Sequence, residues 1–411
     1  MKFKLNFYKT RKFLSAIFIA IVIFSGGYVL GVNGFKANVT KALKVNISRT
    51  TPPDKNVDFS LFWQVWDTLT SKYYDKTKLA PSQLVYGAIS GMVAAVGDPY
   101  TMYLPPNQNK IVNDNLSGSF EGVGIEIGFK DSRLVVISPL VGSPAEAAGV
   151  KPGDFITHIS DTKKGIEVDT DGLGIDQAVT YIKGPAGTKV SLTLFRNGES
   201  KPTVVEITRA KIEVPSVMIS WKGNASDIAV IRIAEFGGET KNEWDEMVAQ
   251  VLSKKETRGI IIDLRNNPGG YLQAAVDIAS DFVNSGTIVV IQEDGKGLKN
   301  EIKSQILPRL SKFKVAVLIN GGSASASEIL AGALRDARDI KLVGDKSFGK
   351  GTIQEPVEVE GGSGLHVTTA KWLTPKGTWV HGTGLTPDVS IGNPDNATED
   401  AQLEAAIKLF E

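Results

Sequence analysis

The stretch KVAVLINGGSASASEILAGALRDA, residues 314–337, holds a strand, a turn and a helix in one run. Val315 to Ile319 are uninterrupted apolar residues, the pattern of a strand buried on both faces. Asn320-Gly321-Gly322 breaks it, and residues 326–337 recur with a helical period. Such a unit belongs to an α/β fold, whose sites gather at strand C-termini. A hydroxyl between the strand and the helix meets free N–H groups and the positive end of the helix dipole. That is a ready environment for an oxyanion. Ordinary capping by Ser323 or Ser325 is the alternative on this loop alone.

The same alternation continues around this stretch. Apolar runs at 228–233, 259–264, 287–292 and 340–344 read as strands, and 240–256 and 272–283 as helices. They predict a largely parallel, covered sheet. Two further loops follow strands. Asp263-Leu264-Arg265-Asn266-Asn267-Pro268-Gly269-Gly270 ends in a glycine pair able to aim N–H groups at an oxyanion, or simply to make a tight turn. Arg265 and Asp263 read as braces for that loop. Ser347-Phe348-Gly349-Lys350-Gly351-Thr352-Ile353-Gln354 nearly spells a phosphate loop with Gly344. However, Gly351 stands where Ser or Thr is required, and the next residues alternate like a strand instead of opening a helix. A lysine between glycines can instead be buried, where its charged form is disfavoured and its amine can take a proton from serine. A solvated loop lysine is the alternative.

Residues 118–210 form a separate pattern. GVGIEIGF (122–129) and RLVVIS (133–138) alternate around a Lys130-Asp131-Ser132 turn, and SPAEAAGVKPGDFITHIS (143–160) gives a short helix, a turn and a strand. A helix over 176–184 and a hairpin over 188–209 with Asn197-Gly198 at its tip follow. This succession resembles a PDZ domain. The resemblance implies capture of a peptide C-terminus as an added strand, with Gly122, Val123, Gly124 and Ile125 as the peptide-binding segment.

Residues 1–12 hold Lys2, Lys4, Lys9, Arg11 and Lys12 with no acid, and 13–32 are uncharged. Twenty residues at about 1.5 Å each reach across a bilayer core of roughly 30 Å. The basic flank predicts a cytoplasmic tail and export of the chain from residue 33 onward. The run reads as a transmembrane anchor or a signal segment. It exceeds the usual signal core, and no A-x-A site comes after it, which favours the anchor. Residues 33–56 read as a linker with Pro52-Pro53. Residues 57–110 read as a helical module for packing or dimerisation, with Asp58 or Ser60 as a cap and Trp63, Trp66 and, further on, Trp244 expected in cores.

The 411 residues suit two or three domains. The absence of cysteine excludes disulfides, thiolate catalysis and iron–sulfur clusters. A formal net charge of +1 gives no electrostatic case for a nucleic-acid partner. His158, His366 and His381 lack metal-ligand spacing, so satisfied structural roles are expected and no metal is implied.

SASASE, FGKGTIQ and DLRNNPGG, in that family's order and behind a PDZ-like region, resemble the carboxy-terminal processing peptidases, also called tail-specific proteases. VGDPYTMYLPP (96–106) and GLTPDVSI (384–391) also look like family segments, so the resemblance covers roughly 57–411. It implies a ClpP- and crotonase-like catalytic core over 211–395, with the PDZ-like domain at 118–210 inserted before it and a C-terminal helix at 396–411. It implies Ser325 as nucleophile, Lys350 as general base and Gln354 as the residue orienting that base. Oxyanion donors are then the N–H groups of Ala326 and of Gly269 or Gly270. Lys183 departs from the pattern, standing where many relatives carry arginine. The implied activity is a cofactor-independent serine endopeptidase acting on unfolded or flexible C-terminal tails. Its catalytic part lies outside the cytoplasm, in the periplasm or on the cell surface of a bacterium. Homo-oligomerisation and an adaptor or activator protein are open. A membrane-tethered PDZ module that binds without cutting is the alternative. A small-molecule acyl-thioester enzyme is a third reading, disfavoured by the PDZ-like insert and the Ser/Lys pair.

Overall fold

The computed structural model describes residues 35–39, 45–49, 58–140, 142–196, 198–199, 201–392 and 399–411. The basic tail, the apolar run at 13–32 and the hairpin residue Asn197 lie outside them. No helix among the described residues is long and apolar enough to cross a membrane. The chain divides into two compact units, Met1–Leu84 and Val85–Glu411.

In the first unit, Phe35–Val39 and Val45–Arg49 pair antiparallel, where the sequence was expected to give a linker. Phe35, Ala37, Val39, Val45 and Ile47 alternate with polar residues, a period-2 signal hidden by the lysines and asparagines around it. The helix Ser60–Lys72 follows, with the Ser60 N–H donating to Asp58 Oδ1 at 2.8 Å. It has no buried residue. Trp63 is 55% exposed, and Trp66 is only half-buried. Neither is buried among the described residues, so the expectation of a core role is not met for them. It holds for Trp244, which is fully buried with its indole N–H on Asp281.

The second unit contains a β-rich body and an α/β body. In the first, the sheet order is Thr203–Thr208, Lys189–Phe195, Phe155–Asp161, Arg133–Pro139 and Ile125–Lys130, all antiparallel. Asp131 and Ser132 both take positive φ, 51° and 60°, closing the expected two-residue hairpin between Lys130 and Arg133. The helix Ile175–Ile182 covers this sheet's apolar core.

The α/β body holds a six-stranded sheet in the order Val217–Lys222, Ile228–Ile233, Gly259–Asp263, Lys314–Ile319, Lys341–Gly344, Val389–Ser390. All neighbours are parallel except the first pair. Every residue of Gly259–Asp263 is buried, as its continuous apolar run requires. The expectation that 287–292 joins this sheet is wrong. Ile288–Asp294 instead belongs to an antiparallel sheet with Lys299–Lys303, Ser363–Leu373 and Thr352–Val359, to which Met102–Leu104 adds against Ser363–Leu373. A short apolar run carries no information about which partner it will pair with. Thr352–Val359 of this second sheet begins two residues after Lys350, and its first residues line one cleft with Ile329 of the helix Ala326–Arg338.

Candidate active site

Three loops meet at the C-terminal ends of the parallel strands. Ser323 Oγ donates to Leu264 O and Ser327 Oγ to Asn267 O, both at 2.8 Å. These hydroxyls are buried and tie the serine loop to the DLRNNPGG loop. Ser325, between them, lines a cleft of about 340 Å³ with Pro268, Gly269, Gly270, Tyr271, Lys350, Gln354 and His366. Ser325 takes φ 54° and ψ −115° at the N-cap of Ala326–Arg338, a conformation costly for a residue with a Cβ. Of the two serines that capping could explain, Ser325 is the N-cap and shares a capping box with Glu328 while also lining the cleft, whereas Ser323, like Ser327, is spent on tethering the loops.

The buried Glu328 holds the site together. Its Oε1 accepts from Ser347 Oγ at 2.6 Å and Gly349 N at 2.7 Å, and its Oε2 from Ser325 N at 3.0 Å and Lys350 N at 2.9 Å. One carboxylate therefore fixes the backbone of both the serine and the lysine loops. Phe348 N adds a bond to Ser323 O at 3.0 Å. The indole N–H groups of Trp372 and Trp379 donate to Lys350 O and Gly351 O, each at 2.9 Å. The lysine backbone is held on both sides, so only its side chain remains to move. Glu328 was visible as the last letter of SASASE, but its role depends on partners 19 to 22 residues away.

Burial pushes the Lys350 amine below its ordinary value, with the Asp98 carboxylate partly opposing. Its Nζ lies 5.2 Å from the centre of the Tyr100 ring. No hydrogen bond joins Nζ to Ser325 Oγ or to Gln354 among the described residues. Gln354 Nε2 donates to Thr352 Oγ1 and Thr368 Oγ1, both at 3.0 Å. His366 also lines the cleft, and burial and then the Lys350 charge lower its affinity for protons. His158 is satisfied by Asp169 and Glu167 at 2.8 Å each, whereas His381 Nδ1 is buried with no partner among the described residues.

The glycine pair divides its tasks. Gly269 N donates to Asn267 Oδ1 at 2.8 Å, and its O accepts from Phe236 N at 2.8 Å. Its amide is already engaged. Among the described residues no acceptor meets the Gly270 N–H, which leaves it, with the first-turn N–H of Ala326, as the free pair. A Cβ on Gly270 would stand 2.2 Å from Phe236 O, and one on Gly269 2.8 Å from Ser325 Cβ. Arg265 braces this loop as expected: it grips Asp263 at 2.9 and 2.7 Å and Asp400 at 2.7 and 2.8 Å. The strand after Lys350 is incompatible with a phosphate loop.

In the β-rich body, Val123, Gly124 and Ile125 line a small apolar pocket of about 70 Å³ with Phe120, Val179 and Lys183. Gly122 lies just outside it, against the Phe120 ring. Lys183 Nζ sits 4.7 Å from the centre of that ring. Among the described residues no group of His, Asp or Glu is arranged to hold a metal ion.

A parallel sheet with a strained serine at a helix start, and a desolvated lysine in the same cleft, has the layout of a serine hydrolase. Comparison with known proteins agrees. The model of Peptidase family S41 matches residues 227–391, that of a PDZ domain 135–196, and that of the activating protease CtpB N-terminal domain 21–107. The chain is 34% identical over 387 residues to the carboxy-terminal processing protease CtpB of Bacillus subtilis (strain 168), covering 94% of this chain and 78% of that one. It is 40% identical over 332 residues to the "Probable CtpA-like serine protease" of Staphylococcus epidermidis (strain ATCC 12228 / FDA PCI 1200), covering 80% of this chain and 65% of that one. A solved structure of a "Putative S41 protease from Bacteroides fragilis NCTC 9343" shares the fold, with a TM-score of 0.54 at 14% identity over 87% of this chain and 98% of that one. The chain belongs to Peptidase family S41, the carboxy-terminal processing serine proteases, and carries a PDZ domain and an N-terminal helical region.

Proposed function

We propose that this protease cleaves protein tails by a Ser325/Lys350 mechanism. The observation that carries the reading is the shared cleft of Ser325, desolvated Lys350 and Gly270. Neutral Lys350 takes the proton of Ser325 Oγ as that oxygen bonds to the scissile carbonyl carbon. The negative charge moves to the carbonyl oxygen, which the Gly270 and Ala326 N–H groups receive. The C–N bond then breaks, and the Lys350 ammonium returns its proton to the leaving amine. Water attacks the acyl-enzyme with Lys350 again as base, releasing the carboxylic acid and restoring Ser325. Gln354, with its Nε2 spent on two threonines, offers Oε1 to the ammonium form and so orients the amine.

The PDZ domain captures the tail as an added strand at 122–125, with an apolar terminal side chain in the pocket under Val123 and Ile125. The apolar run 13–32 anchors the chain in a bacterial membrane, leaving the protease outside the cytoplasm. The conformation of the PDZ domain regulates access to Ser325, and an adaptor or a second copy is the natural partner for the uncovered helix Ser60–Lys72. A binding module without proteolysis is not favoured, because it leaves the buried Glu328 hub and the strained Ser325 without purpose.

The test incubates the full chain, in detergent, with an unfolded protein ending in apolar residues. Cleavage near that end, abolished by Ser325→Ala and by Lys350→Ala while tail binding persists, supports the reading. Undiminished cleavage by either variant overturns it.

A further inference from the structure

The segment VGDPYTMYLPP serves no purpose in the mechanism so far, yet it packs against the base. In the turn after the helix Pro81–Ala94, Asp98 Oδ1 accepts from Tyr100 N at 3.1 Å and Oδ2 from Thr101 Oγ1 at 2.7 Å. Thr101 Oγ1 in turn accepts from Thr368 N at 3.0 Å, which fastens the turn to the strand Ser363–Leu373. The Thr101 hydroxyl thus bridges the Asp98 carboxylate to the backbone of Thr368. The Thr368 hydroxyl in turn accepts from Gln354 Nε2 at 3.0 Å. The amide is thereby oriented with NH₂ toward Thr368 and Thr352 and its oxygen toward the remaining side. On the same turn, the Tyr100 ring faces the Lys350 amine at 5.2 Å and packs edge-on against His381.

We propose that Asp98 is a positioning residue for the general base: through Thr101 it seats Thr368, whose hydroxyl fixes the orientation of the Gln354 amide, while Tyr100 on the same turn holds its ring against the Lys350 amine. This rests on the Ser/Lys reading above. The arrangement makes Asp98 an acceptor at the far end of a relay, never touching substrate. Burial works to raise its own proton affinity, but the hydrogen bonds it accepts outweigh it, so Asp98 stays ionised and the relay keeps its direction. The groups around the Lys350 amine are Asp98 and Tyr100 from the turn and His366 from the neighbouring strand. Glu235 lines the same cleft. Glu328 binds the Lys350 backbone from the helix Ala326–Arg338. Of these, the Asp98 charge favours the protonated amine.

Two variants separate the relay from the charge. Thr368→Val removes the hydroxyl but keeps Asp98, so kcat falls by up to about 10²-fold, the lower end of what general acid–base catalysis contributes, with KM near wild type and the pH profile in place. Thr368→Ser restores kcat. Asp98→Asn removes the charge, so the acidic limb of kcat/KM moves to lower pH as well as dropping in height. Tyr100→Leu lowers kcat and Tyr100→Phe restores it. All are measured on the full chain, with thermal melts confirming folding. If Asp98→Asn is too unstable to purify, the Thr368 and Tyr100 pairs decide alone. Full kcat in both Thr368→Val and Tyr100→Leu overturns the proposal. Activity persisting in Lys350→Ala overturns the Ser/Lys reading instead.

Discussion

The backbone N–H groups of Ser325 and Lys350 donate to one and the same oxygen, Glu328 Oε2, at 3.0 and 2.9 Å. The two residues expected to exchange a proton are thus tied through their main chains, although their side chains share no hydrogen bond among the described residues. A common acceptor makes their separation a property of the scaffold and leaves only side-chain torsions for the approach. Pre-set geometry of this kind is where much of an enzyme's advantage over solution chemistry arises.

Removing that acceptor should cost both stability and rate. Glu328→Ala leaves four donors without their partner inside the protein, each worth about 1–3 kcal/mol when buried and unmade. A loss of at least about 3 kcal/mol in urea unfolding is expected, because water can enter to relieve some of them. Glu328→Gln keeps the shape but turns an NH₂ toward donors, so an intermediate loss is expected. Unchanged unfolding midpoints in both variants would contradict the hub.

Activity should rise with pH along a limb set by Lys350. The amine must be neutral to act, and burial lowers its affinity for protons, so the limb lies below the ordinary lysine value of about 10.4. The same shift acts on stability with a definite sign. A lysine whose folded-state value is depressed destabilises the fold fully at pH below that value. The penalty fades as pH rises from the folded value toward the unfolded one. Lys350→Met should therefore be inactive yet melt at higher temperature than wild type at neutral pH, and the difference should shrink toward pH 10. A variant that melts lower at neutral pH, with no trend, refutes the burial argument.

Gly270 should tolerate no side chain. A Cβ would collide with Phe236 O at 2.2 Å, and φ of 131° is open to glycine alone. Gly270→Ala must push this amide out of place. A loss of about 10²–10³ in kcat is the usual result of losing one oxyanion donor. Single-turnover acylation rates on an ester substrate measure it. Near-normal acylation would show that the hole is built elsewhere.

The tail pocket should be separable from the chemistry. A Cβ on Gly124 would meet Ser143 Cβ at 2.4 Å, so Gly124→Ala distorts the segment that lines the apolar pocket. Calorimetry with a peptide ending in an apolar residue should show at least tenfold weaker binding, about 1.4 kcal/mol. Equal affinity in the two proteins would place tail capture on another surface.

Much of this architecture is legible along the chain. Largely apolar runs give four of the parallel strands, because a strand covered on both faces needs few polar residues. Asn320-Gly321-Gly322 and Gly269-Gly270 mark where the chain turns at strand ends: Gly269 and Gly270 take backbone angles that favour glycine, and a Cβ on Gly322 would stand 2.8 Å from Asn266 Cα. The Lys130–Arg133 hairpin and the strand after Lys350 are likewise local in origin. The serine and lysine motifs stand out through their small and glycine neighbours.

What local pattern cannot carry is the choice of partner. Ile288–Asp294 looks like any buried strand, and only the packed molecule puts it in the second sheet. Ser323, Ser325 and Ser327 are alike in sequence. They become different when two of them find carbonyls some 60 residues back on the neighbouring loop and the third is left at the cleft. The engaged amide of Gly269, the relay from Asp98 to Gln354 and the four-fold grip of Glu328 arise the same way. A buried donor or acceptor must find a partner, and which one it finds is set by distances through space that sequence separation does not encode.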